Sequence, residues 1–235
     1  MINNIKKVKN DIILCRECPR LVSVREEIAL KKRKSYEEWE YWGKPVPGVG
    51  DINSKLLVLG LAPAAHGGNS TGRIFTGDKS ADFLFKCLFE AGLSNNKESL
   101  SKNDNLIIKG FMTVAVKCVP PGDKPTSIER NNCSKYLKEE IKLMPNLKVV
   151  LGLGKVGFES FLRYTRKSYD IKMKDFPFKH GVGYNLPNKV RLFVAYHSSP
   201  RNVNTNRITL DMMVFFLNKL KNELYDYIIS SWSSF

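Results

Sequence analysis

The chain has 235 residues, of which 43% are hydrophobic, and its 38 Lys and Arg against 23 Asp and Glu give a formal net charge of +15. This length and apolar content are enough for one sizeable core, and the lack of any run of about 20 apolar residues excludes a membrane-spanning helix. The positive balance favours a polyanionic partner such as nucleic acid, although lysine-rich chains are sometimes basic for solubility alone.

The predicted elements alternate between strands and helices along the chain. Two helices and a Pro/Gly-rich loop over 44–50 (KPVPGVG) come first. Four short, continuously apolar runs then indicate strands covered on both faces, at 55–60, 111–118, 147–152 and 191–197. Apolar residues at helical spacing predict helices over 78–91, 128–143, 154–164 and 206–220. Ser127 is expected to cap the helix over 128–143.

This alternation predicts an α/β fold, a three-layer α/β/α sandwich around a mainly parallel, four-stranded sheet. We expect a single domain over 1–235, with a helical N-terminal extension over 1–50 and a tail over 222–235. Ligands of such sheets bind beyond the carboxyl ends of the strands. Three unusual loops fall there, at 60–78, 119–124 and 197–202, so the pattern predicts that these loops meet at one site.

The cysteines indicate a metal centre. Cys15 and Cys18 form a C-x2-C pair, Cys118 ends the second predicted strand, and Cys133 lies in the next helix. A C-x2-C pair plus two cysteines from other elements suits a [4Fe–4S] cluster, zinc accepts the same donors, and buried free thiols are the third alternative. Cys87 lies on an apolar helix face and is expected to be a buried structural thiol.

Residues 152–157 (GLGKVG) match the G-x-G-x-x-G pattern between a predicted strand and a helix. That pattern is typical of dinucleotide sites, which would make the protein an oxidoreductase. No strand carrying an acidic residue follows at the required distance, and the pattern does not open the first strand–helix unit. We therefore favour a tight strand-to-helix turn at this position.

The three strand-end loops carry long, specific motifs. Residues 60–78 read GLAPAAHGGNSTGRIFTGD, residues 116–125 read VKCVPPGDKP and residues 197–202 read HSSPRN. Over about residues 12–220 the chain resembles the iron–sulfur uracil-DNA glycosylases of family 5 (B-type). The resemblance implies a uracil-DNA glycosylase-like fold and a [4Fe–4S] cluster held by Cys15, Cys18, Cys118 and Cys133. It also implies removal of uracil, and of other deaminated bases such as hypoxanthine, from DNA to leave an abasic site.

Three residues take catalytic roles under this resemblance. Asp78 would orient or deprotonate the attacking water and stabilise the positively charged sugar, and it is also placed to cap the following helix. His197 would donate a hydrogen bond to the departing base, for which a neutral imidazole suffices. Asp123 stands where the family has Asn, so its share in holding the water is the least defined.

The flipped base would meet a largely non-polar pocket. Backbone amides after Gly60, at Leu61 and Ala62, would bind its carbonyls, and Phe75 would stack on its face. Leu61 and Val114 stand where the sister A-type (family 4) enzymes have an acidic residue and an Asn, respectively. Fewer polar groups predict looser base choice, and the A-type assignment remains the narrower alternative.

The DNA duplex would be held by residues of the same loops. Residues 199–201 resemble a wedge that fills the gap left by the flipped base. The predicted DNA-binding residues are Arg73, Lys124, Ser199, Pro200, Arg201, Asn202 and Arg207. We expect an intracellular, cytoplasmic protein that works as a monomer near the nucleoid, since the N-terminal residues do not read as a secretory signal. A non-catalytic iron–sulfur module that binds DNA is the other alternative. His66 is a pocket candidate without an assigned role.

Overall fold

The computed structural model describes residues 2–229 of the chain. The strands are β1 Val49–Gly50, β2 Leu56–Gly60, β3 Phe111–Val114, β4 Val149–Leu153, β5 Gly183–Asn185 and β6 Arg191–Ala195. The helices are α1 Ile2–Ile13, α2 Pro19–Lys31, α3 Gly68–Thr71, α4 Lys79–Glu90, α5 Ser127–Lys142, α6 Gly154–Thr165, α7 Pro200–Asn204 and α8 Leu210–Ile229. Single 3-10 turns cover Lys34–Tyr36, Pro121–Asp123 and Met173–Asp175.

The described strands form one sheet in the order β1-β3-β2-β4-β6-β5. Its four central strands are parallel, as predicted, with β2 pairing with β3 and β4, and β4 pairing with β6. The prediction of four strands was wrong at the edges, where β1 and β5 add short antiparallel pairs. Strands of two and three residues are too short to show a hydrophobic period, and β1 lies within the loop predicted over 44–50.

Helices cover both faces of the sheet, which confirms the three layers. Side chains of β2 alternate between two cores: Leu56 and Val58 face the layer of α4 and α8, whereas Leu57 and Leu59 face that of α5 and α6. All four are at most 1% exposed, and burial of such a side chain contributes about 1.5–3 kcal/mol. This two-sided burial explains why the strands are continuously apolar in sequence.

Two boundaries differ from those predicted. Strand β3 ends at Val114 rather than at 118, because the chain beyond it leaves the regular ladder while the N–H groups of Ala115 and Val116 still donate to the carbonyls of Gly60 and Leu61. Cys118 therefore follows the strand instead of ending it. Helix α8 runs to Ile229, and Leu224 is buried against the core. The predicted tail over 222–235 thus begins as part of this helix, and 230–235 lie outside the described residues.

The cap of α5 lies one residue earlier than predicted. The side chain of Thr126 accepts a hydrogen bond from the N–H of Glu129, and the Glu129 carboxylate accepts one from the N–H of Thr126. This reciprocal capping box satisfies two N–H groups at once, which a cap at Ser127 with Arg130 at the third position would not. The cap fixes where α5 begins, directly after the loop that follows β3.

Candidate active site

The three motif loops follow the carboxyl ends of three of the four parallel strands, as predicted. The first follows β2, the second lies beyond β3 and the third follows β6. A hydrogen bond links the third loop to helix α4, because the hydroxyl of Ser198 donates to the carbonyl of Ser80 at 2.9 Å. This contact holds the third loop against the start of α4, where the first loop ends.

Phe75, Gly60 and Val114 lie side by side at the end of the sheet. A Cβ atom built on Gly60 would lie 2.7 Å from Cζ of Phe75 and 3.6 Å from Cγ1 of Val114. Only glycine therefore lets the ring come so close to the strand end. Phe75 also has a φ of 51°, a conformation that costs a bulky residue about 1–3 kcal/mol and is concentrated at functional sites. The structure thus brings these three predicted pocket residues together.

Leu61 and Ala62 carry the backbone next to that ring. The carbonyl of Leu61 accepts a hydrogen bond from Val116, while neither the N–H of Leu61 nor that of Ala62 donates to a backbone carbonyl within the described part of the chain. Both residues are partly exposed. These two N–H groups therefore remain available for an acceptor such as a base carbonyl.

Asp78 caps α4, as predicted. Its Oδ1 accepts hydrogen bonds from the N–H groups of Ser80 at 2.8 Å and Ala81 at 3.0 Å. Its Oδ2 faces Gly67, because a Cβ built on that glycine would lie 2.4 Å from the oxygen. One oxygen thus fixes the orientation of the carboxylate, and the other points to the motif loop after β2.

His197 follows β6 and is partly buried. Burial lowers the pKa of His197 below its ordinary value, and the nearby charges of Asp78 and Asp123 partly oppose that shift. Asp78 and Asp123 therefore both lie within electrostatic range of His197. Gly154 packs against the imidazole side chain, since a Cβ built there would lie 3.4 Å from Cβ of His197. The lowered pKa makes the imidazole neutral at pH 7.

Asp123 lies on an exposed turn after Pro121. Its φ is 57° and that of Gly122 is 59°, a left-handed conformation that Asn and Asp tolerate better than other non-glycine residues. Either residue type therefore suits this position, which accounts for Asp here where the resembled family has Asn. The neighbouring Lys124 is exposed, and its carbonyl accepts a hydrogen bond from Arg20.

The loop after β6 presents its basic side chains to solvent. Pro200, Arg201 and Arg207 are exposed and Ser199 is partly exposed, while the Arg207 guanidinium lies 5.5 Å from the ring centre of Tyr196. Asn202 instead supports the loop, because its side-chain amide donates to the carbonyl of His197 at 2.8 Å. Direct contact of these residues with DNA stays a prediction.

Arg73 is not a surface residue, so its predicted contact with DNA phosphates was wrong. Its side chain is 8% exposed and forms a two-pronged ion pair with Asp104 at 2.5 and 2.7 Å. The same guanidinium also donates to the hydroxyls of Thr76 and Ser99. Arg73 therefore holds the end of the motif loop, just before Asp78, on the segment that carries Ser99 and Asp104.

We expect Arg73→Met to destabilise the protein by about 3–5 kcal/mol, because it leaves the Asp104 carboxylate buried without its partner. Denaturant unfolding measures this loss, and Arg16→Met is the control, since Arg16 belongs to an exposed ion pair. A variant of Arg73 that binds DNA less tightly at unchanged stability would contradict this role.

The same pair predicts how stability changes with pH. Burial alone would raise the pKa of Asp104, but the hydrogen bond from Arg73 and three backbone N–H groups outweigh it and lower the pKa. A carboxylate whose pKa is lower in the folded chain than in the unfolded chain stabilises the fold at pH values above its unfolded pKa of about 3.9. This stabilisation is lost as the pH falls below that value. Wild-type stability should therefore fall more steeply below about pH 4 than that of Asp104→Asn, as measured by denaturation at several pH values.

The four predicted metal ligands line one small cavity, which lies between α2, the residues after β3 and α5. No three His, Cys, Asp or Glu side chains in residues 2–229 are grouped tightly enough to hold a single metal ion. Burial raises the pKa of Cys133 to about 12 and also raises that of Cys118. These side chains therefore hold thiolates only if positive metal charge is present. The donor set of four cysteines around one cavity fits a metal cluster.

Cys87 lies apart in the core formed by α4 and α8, and burial raises its pKa to about 12. The structure thus confirms a buried thiol. The glycines of 152–157 also have packing roles, because a Cβ on Gly157 would lie 2.0 Å from the carbonyl oxygen of Leu59 and one on Gly152 would lie 2.6 Å from Cα of Phe158. These glycines let α6 pack closely on the sheet.

Three contacts near the site involve residues that the motifs did not single out. The hydroxyl of Tyr41 and Nδ1 of His66 share a hydrogen bond of 3.0 Å, so His66 connects the motif loop to the N-terminal extension. Lys117 and Glu140 form a fully buried ion pair beside the cysteine cavity. Arg25 donates to Sγ of Cys118. The sequence indicates the burial of Arg25 only through its position four residues after Leu21, on the same helix face.

Comparisons with known proteins agree with this fold. Residues 47–221 match the family model described as the uracil DNA glycosylase superfamily, which defines the class of the protein. A type-5 uracil-DNA glycosylase of Pyrobaculum aerophilum is 44% identical over 211 residues, 89% of each chain. That of Thermus thermophilus is 42% identical over 207 residues, 88% of this chain and 92% of its own. The chain therefore belongs to the type-5 uracil-DNA glycosylases.

A type-4 uracil-DNA glycosylase of Saccharolobus solfataricus is also similar, at 25% identity over 204 residues, which cover 79% of this chain and 88% of its own. The lower identity agrees with the distinction drawn from Leu61 and Val114. Within the described residues, no helix has the length and apolar character that crossing a membrane requires.

Proposed function

We propose that the protein hydrolyses the N-glycosidic bond of uracil in DNA and leaves an abasic site. The observation that carries this proposal is that three separate strand-end loops place Asp78 and Asp123 within electrostatic range of His197. The relatives named above are uracil-DNA glycosylases, and the net charge of +15 suits a DNA substrate.

The target base leaves the duplex before it reacts. Flipping a nucleotide out costs a few kcal/mol, and least for mismatched or damaged pairs, so uracil opposite guanine is favoured over an intact pair. The ring of Phe75 then stacks on the flipped base, a contact type that contributes about 1–3 kcal/mol. The free N–H groups of Leu61 and Ala62 bind its carbonyls.

Cleavage separates charge between the sugar and the base. Negative charge grows on the departing base, and His197, neutral because burial lowers its pKa, donates a hydrogen bond to it. Positive charge grows on the sugar, and the Asp78 carboxylate stabilises it and orients the attacking water. Because the helix cap already fixes Oδ1 of Asp78, its Oδ2 is the oxygen that acts. Asp123 shares in holding the water.

The exposed basic side chains hold the duplex around this site. Lys124, Arg201 and Arg207 are exposed near the three loops, and we assign them to phosphate contacts, which carry salt-dependent affinity without base specificity. Ser199 and Pro200 begin the short helix α7, and this rigid turn fills the space that the flipped nucleotide leaves. Asn202 keeps that loop in shape.

The substrate class extends to other deaminated bases, because Leu61 and Val114 offer no side-chain hydrogen bonds to reject them. The test is incubation with duplexes that carry uracil, hypoxanthine or an abasic site, followed by alkaline cleavage. Release of uracil and hypoxanthine supports the proposal. Release of uracil alone would restrict the substrate to uracil. If the protein binds DNA but releases neither base, the result supports a non-catalytic module that binds DNA.

The residues that would hold a [4Fe–4S] cluster are the four cysteines that line one cavity, Cys15, Cys18, Cys118 and Cys133. When bound, the cluster supplies a rigid cross-link rather than a reactant. Cys15 and Cys18 belong to the N-terminal extension and Cys118 follows β3, so the four ligands tie that extension to the chain that leads to Asp123.

We expect Cys133→Ala to lose bound iron and to loosen the N-terminal helices, while the sheet stays intact. Iron content and hydrogen exchange, followed peptide by peptide, measure both effects. Cys87→Ala is the matched control, because Cys87 is equally buried but lies in another core. An iron content of Cys133→Ala equal to that of wild type would refute this ligand set.

We further propose that the protein works inside the cell as a monomer on chromosomal DNA. One chain supplies all of the proposed catalytic and base-binding residues, so a second copy is not needed to complete the site. Sedimentation of the protein with a duplex carrying a single uracil would show one protein per duplex, whereas two would contradict this stoichiometry.

A further inference from the structure

Arg25 is a buried cation on the wall of the cysteine cavity. It is 2% exposed, and its Nη1 donates to Sγ of Cys118 at 3.0 Å and to the carbonyl of Cys15 at 3.2 Å. Its Nη2 also donates to the Cys15 carbonyl, at 3.3 Å. The Nε atom is buried and has no hydrogen-bond partner among the described residues. The guanidinium therefore joins two of the four cysteines.

The surroundings of Arg25 leave its charge largely uncompensated by other side chains. The carboxylate of Glu26 is 3.7 Å away, lies on a half-exposed side chain and is already bound by Arg16. A buried charge costs several kcal/mol unless an opposite charge and hydrogen bonds offset that cost. The other cation that lines the cavity, Lys117, has its own partner in Glu140. An anionic group in the cavity would supply what Arg25 lacks.

We propose that Arg25 is a positioning residue for the iron–sulfur cluster, whose negative charge it balances and whose Cys118 ligand it holds. This inference rests on the cluster proposed above. A cluster with four thiolate ligands is anionic, and hydrogen bonds to the ligating sulfurs set its reduction potential. Arg25 touches neither base nor sugar in the proposed mechanism, so its effect falls on the cluster and not on a catalytic step.

The sign of the effect follows from charge. One-electron oxidation removes an electron from the cluster to an external acceptor and reduces its negative charge. A fixed cation beside it disfavours that loss, so Arg25 raises the potential and protects the cluster from oxidation. Without the guanidinium the potential should become more negative, and the cluster should be lost faster in air. Arg25 would thereby keep the cluster in a structural role.

The test compares holoproteins purified without oxygen. Arg25→Gln removes the charge, Arg25→Lys keeps the charge without the two-pronged geometry, and Arg16→Gln is the control on a neighbouring exposed arginine. The readouts are the number of iron atoms per protein, the midpoint potential for one-electron oxidation at an electrode, and the rate at which the visible absorption of the protein fades in air.

We expect Arg25→Gln to have a more negative potential and to lose its absorption roughly tenfold faster or more, the range found for groups that support metal ligands. Arg25→Lys should lie between it and wild type, and Arg16→Gln should match wild type. A folded Arg25→Gln protein that takes up little iron also supports the inference. Full iron with wild-type potential and fading rate in both Arg25 variants would overturn it. Wild-type protein that binds no iron would instead defeat the cofactor proposal and this inference with it.

Discussion

Asp78→Asn is expected to lower the rate of uracil release by about 10²–10⁴-fold, the range that a positioned acid or base contributes. The Asn side chain keeps an oxygen that accepts from Ser80 and Ala81, and Asn caps helices as well as Asp does. The substitution therefore removes the negative charge and leaves α4 capped. Single-turnover release of uracil from a duplex measures the chemical step, and fluorescence anisotropy measures DNA binding.

Asp82→Asn is the matched control. Asp82 lies one turn further along the same helix, outside the proposed catalytic set, so this variant should release uracil at the wild-type rate. Binding of the uracil duplex by Asp78→Asn should equal that of wild type or exceed it, because a carboxylate repels phosphates. A rate for Asp78→Asn within about threefold of wild type would remove Asp78 from the chemistry, since an essential base contributes far more.

The central sheet and the position of the site could be predicted because each rests on a local signal. A strand covered on both faces must be apolar throughout, as Leu56–Gly60 is, and the carboxyl ends of parallel strands share one edge. Asp78 was expected to cap a helix because it directly precedes an amphipathic run. In these cases the residue types and their order fix the outcome without knowledge of distant contacts.

Contacts between distant segments could not be predicted in the same way. Arg73 was assigned to DNA because it is a charged residue in a motif loop, yet its partner Asp104 lies 31 residues away in an unpatterned segment. The sequence does not indicate the role of Arg25, because its main contact, Cys118, is 93 residues away. The edge strands β1 and β5 depend on pairing with β3 and β6 rather than on their own residues. A buried charge finds its partner only once the chain has folded.

The loop that carries His197 likewise depends on hydrogen bonds that the sequence motif does not reveal. Asn202 and Ser198 both brace this loop, and Gly154 leaves room beside the imidazole. The backbone that carries the imidazole is thus held in place before DNA binds. Such preorganised donors stabilise developing charge more than flexible ones do.

We expect His197→Ala to lower the rate of uracil release by about 10²–10³-fold, the loss found when one donor to a developing negative charge is removed. His197→Gln should recover part of that loss, because its amide can donate to the departing base. The effect should appear in kcat, while duplex affinity changes little, because the hydrogen bond strengthens only as charge develops. Rapid-quench measurement of base release separates the two quantities.

The pH profile checks the protonation state that this role of His197 assumes. Since burial lowers the pKa of His197, the imidazole is mostly neutral at pH 7 and above, and its own titration should leave the wild-type rate level there. His180→Gln is the control, since that residue lies beside Tyr196 and has a pKa that burial also lowers. If His197→Ala kept the wild-type kcat and lost only duplex affinity, the imidazole would hold the DNA rather than stabilise the departing base.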